Sequence, residues 1–185
     1  MFIQTEPTPN PASLKFLPGR DVLGSGTAEF RSPDEATDSP LAVRLFALPN
    51  VGGVFLGADF ITVTKTDGDW PHLKPAILGA IMEHYVSGMP VMNRAQASAA
   101  GDDFSEEDAE TVSIIKELIE TRVRPAVAQD GGDITFHGYR DGVVYLNMRG
   151  SCAGCPSSTA TLKNGIQNLL RHFVPEVREI EQVTV

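Results

Sequence analysis

Cysteine is almost absent from this chain of 185 residues, which holds 2, Cys152 and Cys155. A single pair at this spacing does not make a secreted disulfide framework, so cysteine usage fits a reducing compartment. Basic residues are also scarce, with 15 Lys and Arg against 24 Asp and Glu and a formal net charge of −9. No Lys/Arg-rich run occurs, which argues against nucleic acid and against an anionic membrane as partners. No apolar run approaches the ~20 residues of a membrane-spanning helix. The opening residues, Met1-Phe2-Ile3-Gln4-Thr5-Glu6, are neither a basic signal-peptide start nor an Arg-rich transit peptide. What is present is an apolar fraction of 42%, enough for a real core, in a length suited to one domain or two small ones.

Residues 93–104 are small and polar and offer little to bury, so they read as a linker between a domain over 1–92 and a second over 105–185. In the first domain, Phe2–Thr5 and Leu14–Leu17 read as strands separated by the Pro-rich segment Pro7-Thr8-Pro9-Asn10-Pro11. Ser39-Pro40 has the form of a helix start, with Ser as N-cap and Pro in the first turn. Val54-Phe55-Leu56 and Phe60–Thr64 flank Gly57-Ala58-Asp59 as a hairpin. Leu73, Ile77, Ile81 and Tyr85 predict a helix over 70–87, closed by Gly88 and Pro90.

The second domain opens on Ser105-Glu106-Glu107-Asp108, a capping-box variant. Val112, Ile115, Ile119 and Val123 follow at helical spacing, and Pro125 is expected to kink or end that helix. Asp130-Gly131-Gly132-Asp133 reads as a turn rather than as an acid/base pair. Ile134 and Phe136 begin a strand, Asp141-Gly142 marks a hairpin turn, and Val144, Leu146 and Met148 line one face of the return strand. Pro156 opens a helix whose stripe is Leu162, Ile166, Leu169, Leu170 and Phe173, and Val177–Val183 is the last strand. The expected fold class is α+β. Each small domain has a mixed or antiparallel sheet with helices packed on it, and the second has the order α-β-β-α-β.

Cys152-Ala153-Gly154-Cys155-Pro156 lies between the end of a strand and the start of a helix, so the loop is expected to be exposed at its tip. Helix N-terminal N–H groups there are expected to lower a thiol pKa. Gly150 and Gly154 allow close backbone approach. Ser151, Ser157, Ser158 and Thr159 offer hydroxyls to sulfur or to the helix end, with capping the expectation for the last three. A zinc ion or an iron–sulfur cubane takes about four protein ligands, and one CxxC supplies two. His137 and His172 have no ligand spacing to the pair, and His72 and His84 read as ordinary surface or packed residues. The thiols therefore serve a metal or cluster shared with a second chain, an incomplete site, or redox chemistry. Two chains about a two-fold axis would bring four thiolates together, which suits a cubane and suits zinc equally. Redox pairs of the thioredoxin kind follow the first strand of a βαβ unit, whereas this one follows a hairpin.

Gly150-Ser151-Cys152-Ala153-Gly154-Cys155-Pro156-Ser157-Ser158-Thr159, followed by Thr161-Leu162-Lys163-Asn164-Gly165-Ile166, resembles the cluster-binding domain of NifU-like (Nfu-type) iron–sulfur proteins. Arg124-Pro125, Asp130-Gly131-Gly132-Asp133 and Pro175-Glu176-Val177 extend the likeness. Phe2–Glu6, Thr8–Pro11, Leu14–Gly19, Ser39–Ala42, Asp59–Lys65 and Leu73-Lys74-Pro75 resemble the Nfu N-terminal domain. The resemblance implies a carrier, not an enzyme. It implies a [4Fe–4S] cluster held across a homodimer, with Cys152 and Cys155 of each chain as iron ligands. It also implies an upstream iron–sulfur assembly machinery that supplies the cluster and apo-proteins that accept it. The chain would work in a bacterial cytoplasm, or in the mitochondrial matrix as a processed form. A dithiol oxidoreductase and a zinc-linked structural dimer are the alternatives.

Overall fold

A computed structural model describes residues 1–93, 103–153 and 156–183, the last range with side chains from residue 160. The expected linker falls mostly on residues 94–102, outside the described residues. The chain divides into two compact units, Met1–Ala97 and Ser98–Val185. The architecture is α+β in both.

The first unit is a five-stranded antiparallel sheet in the order β1-β2-β5-β4-β3, made of β1 (Gln4–Pro7), β2 (Ser13–Leu17), β3 (Ala28–Phe30), β4 (Val51–Leu56) and β5 (Ile61–Lys65). Helices α1 (Pro40–Phe46) and α2 (Trp70–Ser87) pack with it. The core joins Phe16, Phe30, Val54, Leu56, Ile61 and Val63 from the sheet to Leu41, Leu45, Leu73, Ile77 and Ile81 from the helices. Burial of such side chains, each removing apolar surface from water, is the main stabilising term here. Ser39 caps α1 as expected, its hydroxyl accepting from the Ala42 N–H at 3.1 Å. α2 ends at Gly88, whose φ of 71° is the left-handed conformation that closes a helix without a Cβ penalty.

The second unit begins with a short 3-10 turn, Glu106–Asp108, then α3 (Ala109–Leu118). The Ser105 hydroxyl donates to the Asp108 carboxylate at 2.8 Å rather than capping a backbone N–H, so the expected capping box does not form. Pro125 does not end the helix. A π turn over Ile119–Val123 precedes it, and α4 (Arg124–Gln129) carries the helical path onward. A proline lacks the N–H of an α-helical bond and crowds the carbonyl four residues back, and the wider π turn relieves both demands. β6 (Gly132–Arg140) and β7 (Val143–Gly150) form the hairpin, turned by Asp141 and Gly142 at φ 51° and 81°. α5 (Pro156–Phe173) then crosses over to β8 (Glu179–Val183), which pairs parallel to β7. Parallel neighbours need such a crossover.

Val144, Leu146 and Met148 of β7 meet Val112, Ile115, Ile119, Ile166 and Leu170 from the helices in the core of this unit. The predicted stripe of α5 departs from the structure at one place. Phe173 is 45% exposed and its neighbour Val174 is buried instead, because the helix ends there and Val174 follows its last turn. The Phe173 ring lies under the Arg122 guanidinium at 5.2 Å.

Candidate functional site

β7 delivers its last residues, Arg149 and Gly150, to a tight turn beside the start of β6. Gly150 sits at φ 66°, and Ala153 N–H donates to its carbonyl at 3.1 Å. Ser151 and Cys152 are buried, with Cys152 only 6% exposed and packed into the core with Ile134 and Met148. The first cysteine therefore lies inside the unit, not at an exposed loop tip. Cys155 and Gly154 lie outside the described residues, and so do the side chains of Ser157, Ser158 and Thr159.

The wall behind Cys152 is the turn between α4 and β6. Ser151 N–H donates to the Gly131 carbonyl at 3.3 Å, and the Ser151 hydroxyl donates to the Asp130 carbonyl. Gly131 is at φ 80°, a conformation that favours glycine. Gly132 pairs with Gly150 in the β6–β7 ladder, and its Cα faces the Cys152 Sγ with no room for a side chain between them.

Burial pushes the Cys152 thiol up to about 12. The adjacent Ser151 hydroxyl pulls it down less than burial raises it, and the Asp130 and Asp133 carboxylates push it further up. This overturns, for Cys152, the expectation that the neighbouring helix N-terminus lowers the pKa. Desolvation of a thiolate outweighs the partial charge of a helix end.

The turn is held by Arg124, a residue within the family likeness to which the sequence assigns no role. Arg124 Nε donates to Asp133 Oδ1 at 2.8 Å and Nη2 to Oδ2 at 3.0 Å, a bidentate pair. Asp133 is 5% exposed at its side chain, and its Oδ1 also accepts from the Ile134 N–H at 2.9 Å. Nη1 of Arg124 binds both oxygens of the exposed Glu120 at 2.8 and 2.9 Å. Asp133, read from the sequence as a turn residue, is thus a buried ion-pair partner. Arg124 and Asp133 are nine positions apart across a helix end, a spacing that carries no pattern.

The histidines do not join the site. His72 and His172 are exposed and His137 is half-buried, while His84 is fully buried in the first unit. Among the described residues no three His, Cys, Asp or Glu side chains gather as a metal site. A complete donor set is not assembled by the described part of one chain.

Two family models match the chain. Residues 3–88 match the model described as "Scaffold protein Nfu/NifU N terminal", and residues 115–181 match "NifU-like domain". A Drosophila sechellia protein named "NFU1 iron-sulfur cluster scaffold homolog, mitochondrial" is 56% identical over 99% of this chain and 65% of its own length. The Homo sapiens protein of the same name is 52% identical over 99% of this chain and 72% of its own length. "NifU-like protein 4, mitochondrial" of Arabidopsis thaliana is 52% identical over 98% of this chain and 66% of its own length. The chain thus spans 65% of the length of the first of these relatives. A solution structure of a NifU-like protein from Saccharomyces cerevisiae aligns with a TM-score of 0.46 at 30% identity, over 51% of this chain and 87% of that one.

Proposed function

From the premise that the chain belongs to the Nfu/NifU scaffold family, we propose that it is an iron–sulfur cluster carrier. It binds a [4Fe–4S] cluster across a homodimer through Cys152 and Cys155 of each chain, and passes the cluster to apo-proteins. The observation that carries this reading is the count of thiols. The whole chain contains 2, in one CxxC between β7 and α5, which is half the ligand set of a cubane. The cluster is cargo, supplied by an assembly machinery and consumed by acceptors. Transfer is an exchange of ligands: an acceptor thiolate takes an iron that Cys152 or Cys155 gives up, and no electron need move. The mitochondrial names of the relatives favour the matrix as the compartment.

Topology is no argument against a dithiol oxidoreductase, since α5 and β8 make the CxxC part of a β–α–β crossover. The state of Cys152 narrows that alternative: a nucleophilic redox thiol is accessible, and Cys152 is buried, so Cys155 would have to be the attacking thiol.

Anaerobic reconstitution with iron and sulfide tests the proposal, with metal and sulfide analysis and native mass on one sample. A brown dimer with about four irons and four sulfides per two chains is the expected result. A colourless dimer holding zinc and no sulfide, or a monomer that cycles its thiols to a disulfide, would replace the carrier with one of the two alternatives.

A further inference from the structure

The ion pair between the half-buried Arg124 and the buried Asp133 lies outside the cysteine loop, yet the Ser151 hydrogen bonds from that loop run to the turn this pair holds. Ser151 is bonded to Asp130 and Gly131, and Cys152 rests on Gly132. The next residue is Asp133, gripped at both oxygens by Arg124 from the first turn of α4. An ion pair with a buried carboxylate is weak as a source of stability, because desolvating that charge offsets much of the attraction. A bidentate guanidinium–carboxylate pair is strong as a source of geometry, because two parallel bonds fix angle as well as distance. The π turn before α4 and the tight glycines after it leave the path between helix and strand with unusual backbone on both sides. A geometric clamp is what such a path lacks.

We propose that Arg124 and Asp133 are a positioning pair: together they hold the Asp130–Asp133 turn, and through it set where the Cys152 thiol stands. What the thiol is positioned for rests on the carrier reading above. The position itself does not.

The test uses the full chain with Arg124→Lys, which keeps the charge and loses the fork, and Asp133→Asn, which keeps one acceptor and loses the charge. Glu120→Gln removes only the exposed partner, and Val174→Ala loosens the same core away from the turn. In a Cys155→Ser background, Cys152 is the one thiol, and its alkylation by iodoacetamide is timed beside a thermal melt. With both cysteines present, chelator-driven loss of the reconstituted cluster is timed. Arg124→Lys and Asp133→Asn are expected to speed Cys152 alkylation roughly tenfold, the factor that about 1.4 kcal/mol of lost local anchoring gives. They are expected to shorten cluster lifetime in the same direction, while Glu120→Gln alters neither. Unchanged alkylation in both clamp variants overturns the proposal whatever the cluster does. Equal acceleration by Val174→Ala at an equal loss of melting temperature also overturns it, since the pair would then be merely structural. Should one clamp variant fail to fold, the other decides by the same comparison. A parent protein that takes up no iron and sulfide removes the carrier reading and leaves alkylation to judge the pair.

Discussion

A β-carbon on Gly132 would stand 2.5 Å from the Cys152 Sγ, closer than real atoms approach. It would also stand 2.8 Å from the Arg149 carbonyl oxygen, a backbone atom of the paired strand that has nowhere to go. Gly132→Ala is therefore expected to push the thiol from its seat and to destabilise the second unit by roughly 1–3 kcal/mol, the usual range for overpacking. Thermal denaturation and Cys152 alkylation check this together. A variant that melts with the parent and reacts at the parental rate would show that the seat yields more easily than its geometry implies.

Cys152→Ser and Cys155→Ser are each expected to fold and to retain no cluster. For Cys152 the swap sets a hydroxyl in an apolar site, at a cost of about 1–3 kcal/mol unless it finds a partner. Circular dichroism reports the fold, and iron and sulfide analysis after anaerobic reconstitution reports the cargo. Either variant holding a full complement of both elements would remove its residue from the ligand set.

Ser39 does two things with one hydroxyl. It accepts from the Ala42 N–H at 3.1 Å and donates to the Val91 carbonyl at 2.7 Å, all in a fully buried position. Ser39→Ala removes the N-cap of α1 and leaves the partly buried Val91 carbonyl without that donor. The expected loss is about 1–3 kcal/mol in the first unit. Cluster content should not change, because the cysteines belong to the other unit. A full loss of cluster in this variant would mean that the first unit takes part in holding it.

Local rules make much of this molecule readable. α2 spans Trp70–Ser87, the range its apolar stripe and Gly88 imply, and the Asp141-Gly142 turn joins β6 to β7 as its residue types demand. β3 has no such signature, because three residues, Ala28–Phe30, are too few to show alternation, and only their pairing with β4 makes them a strand. The continuation past Pro125 depends on the π turn, which no spacing of apolar residues announces. Loop position alone implies an exposed Cys152. Its burial comes from Gly132 and the Asp130 turn closing behind it, contacts made across the hairpin rather than along the chain.

His84 is fully buried on α2, and among the described residues neither ring nitrogen has a hydrogen-bond partner. Burial, and after it the Arg44 guanidinium, lower its pKa from the ordinary 6.5, with the nearby Met89 backbone pulling least and the other way. The folded chain therefore resists a proton that the unfolded chain takes up at about pH 6.5. By linkage, stability is level above that pH and falls as pH drops below it, because the unfolded state then binds more protons. One such group sets a slope of at most about 1.4 kcal/mol per pH unit. Urea denaturation of the first unit from about pH 7.5 to about pH 5.5 reads this directly. His84→Phe, which cannot titrate and suits the apolar surroundings, is expected to flatten the acid limb relative to the parent. Equal slopes in parent and His84→Phe would mean that the acid sensitivity of this unit resides in its carboxylates, and that the buried imidazole titrates as it does in the unfolded chain.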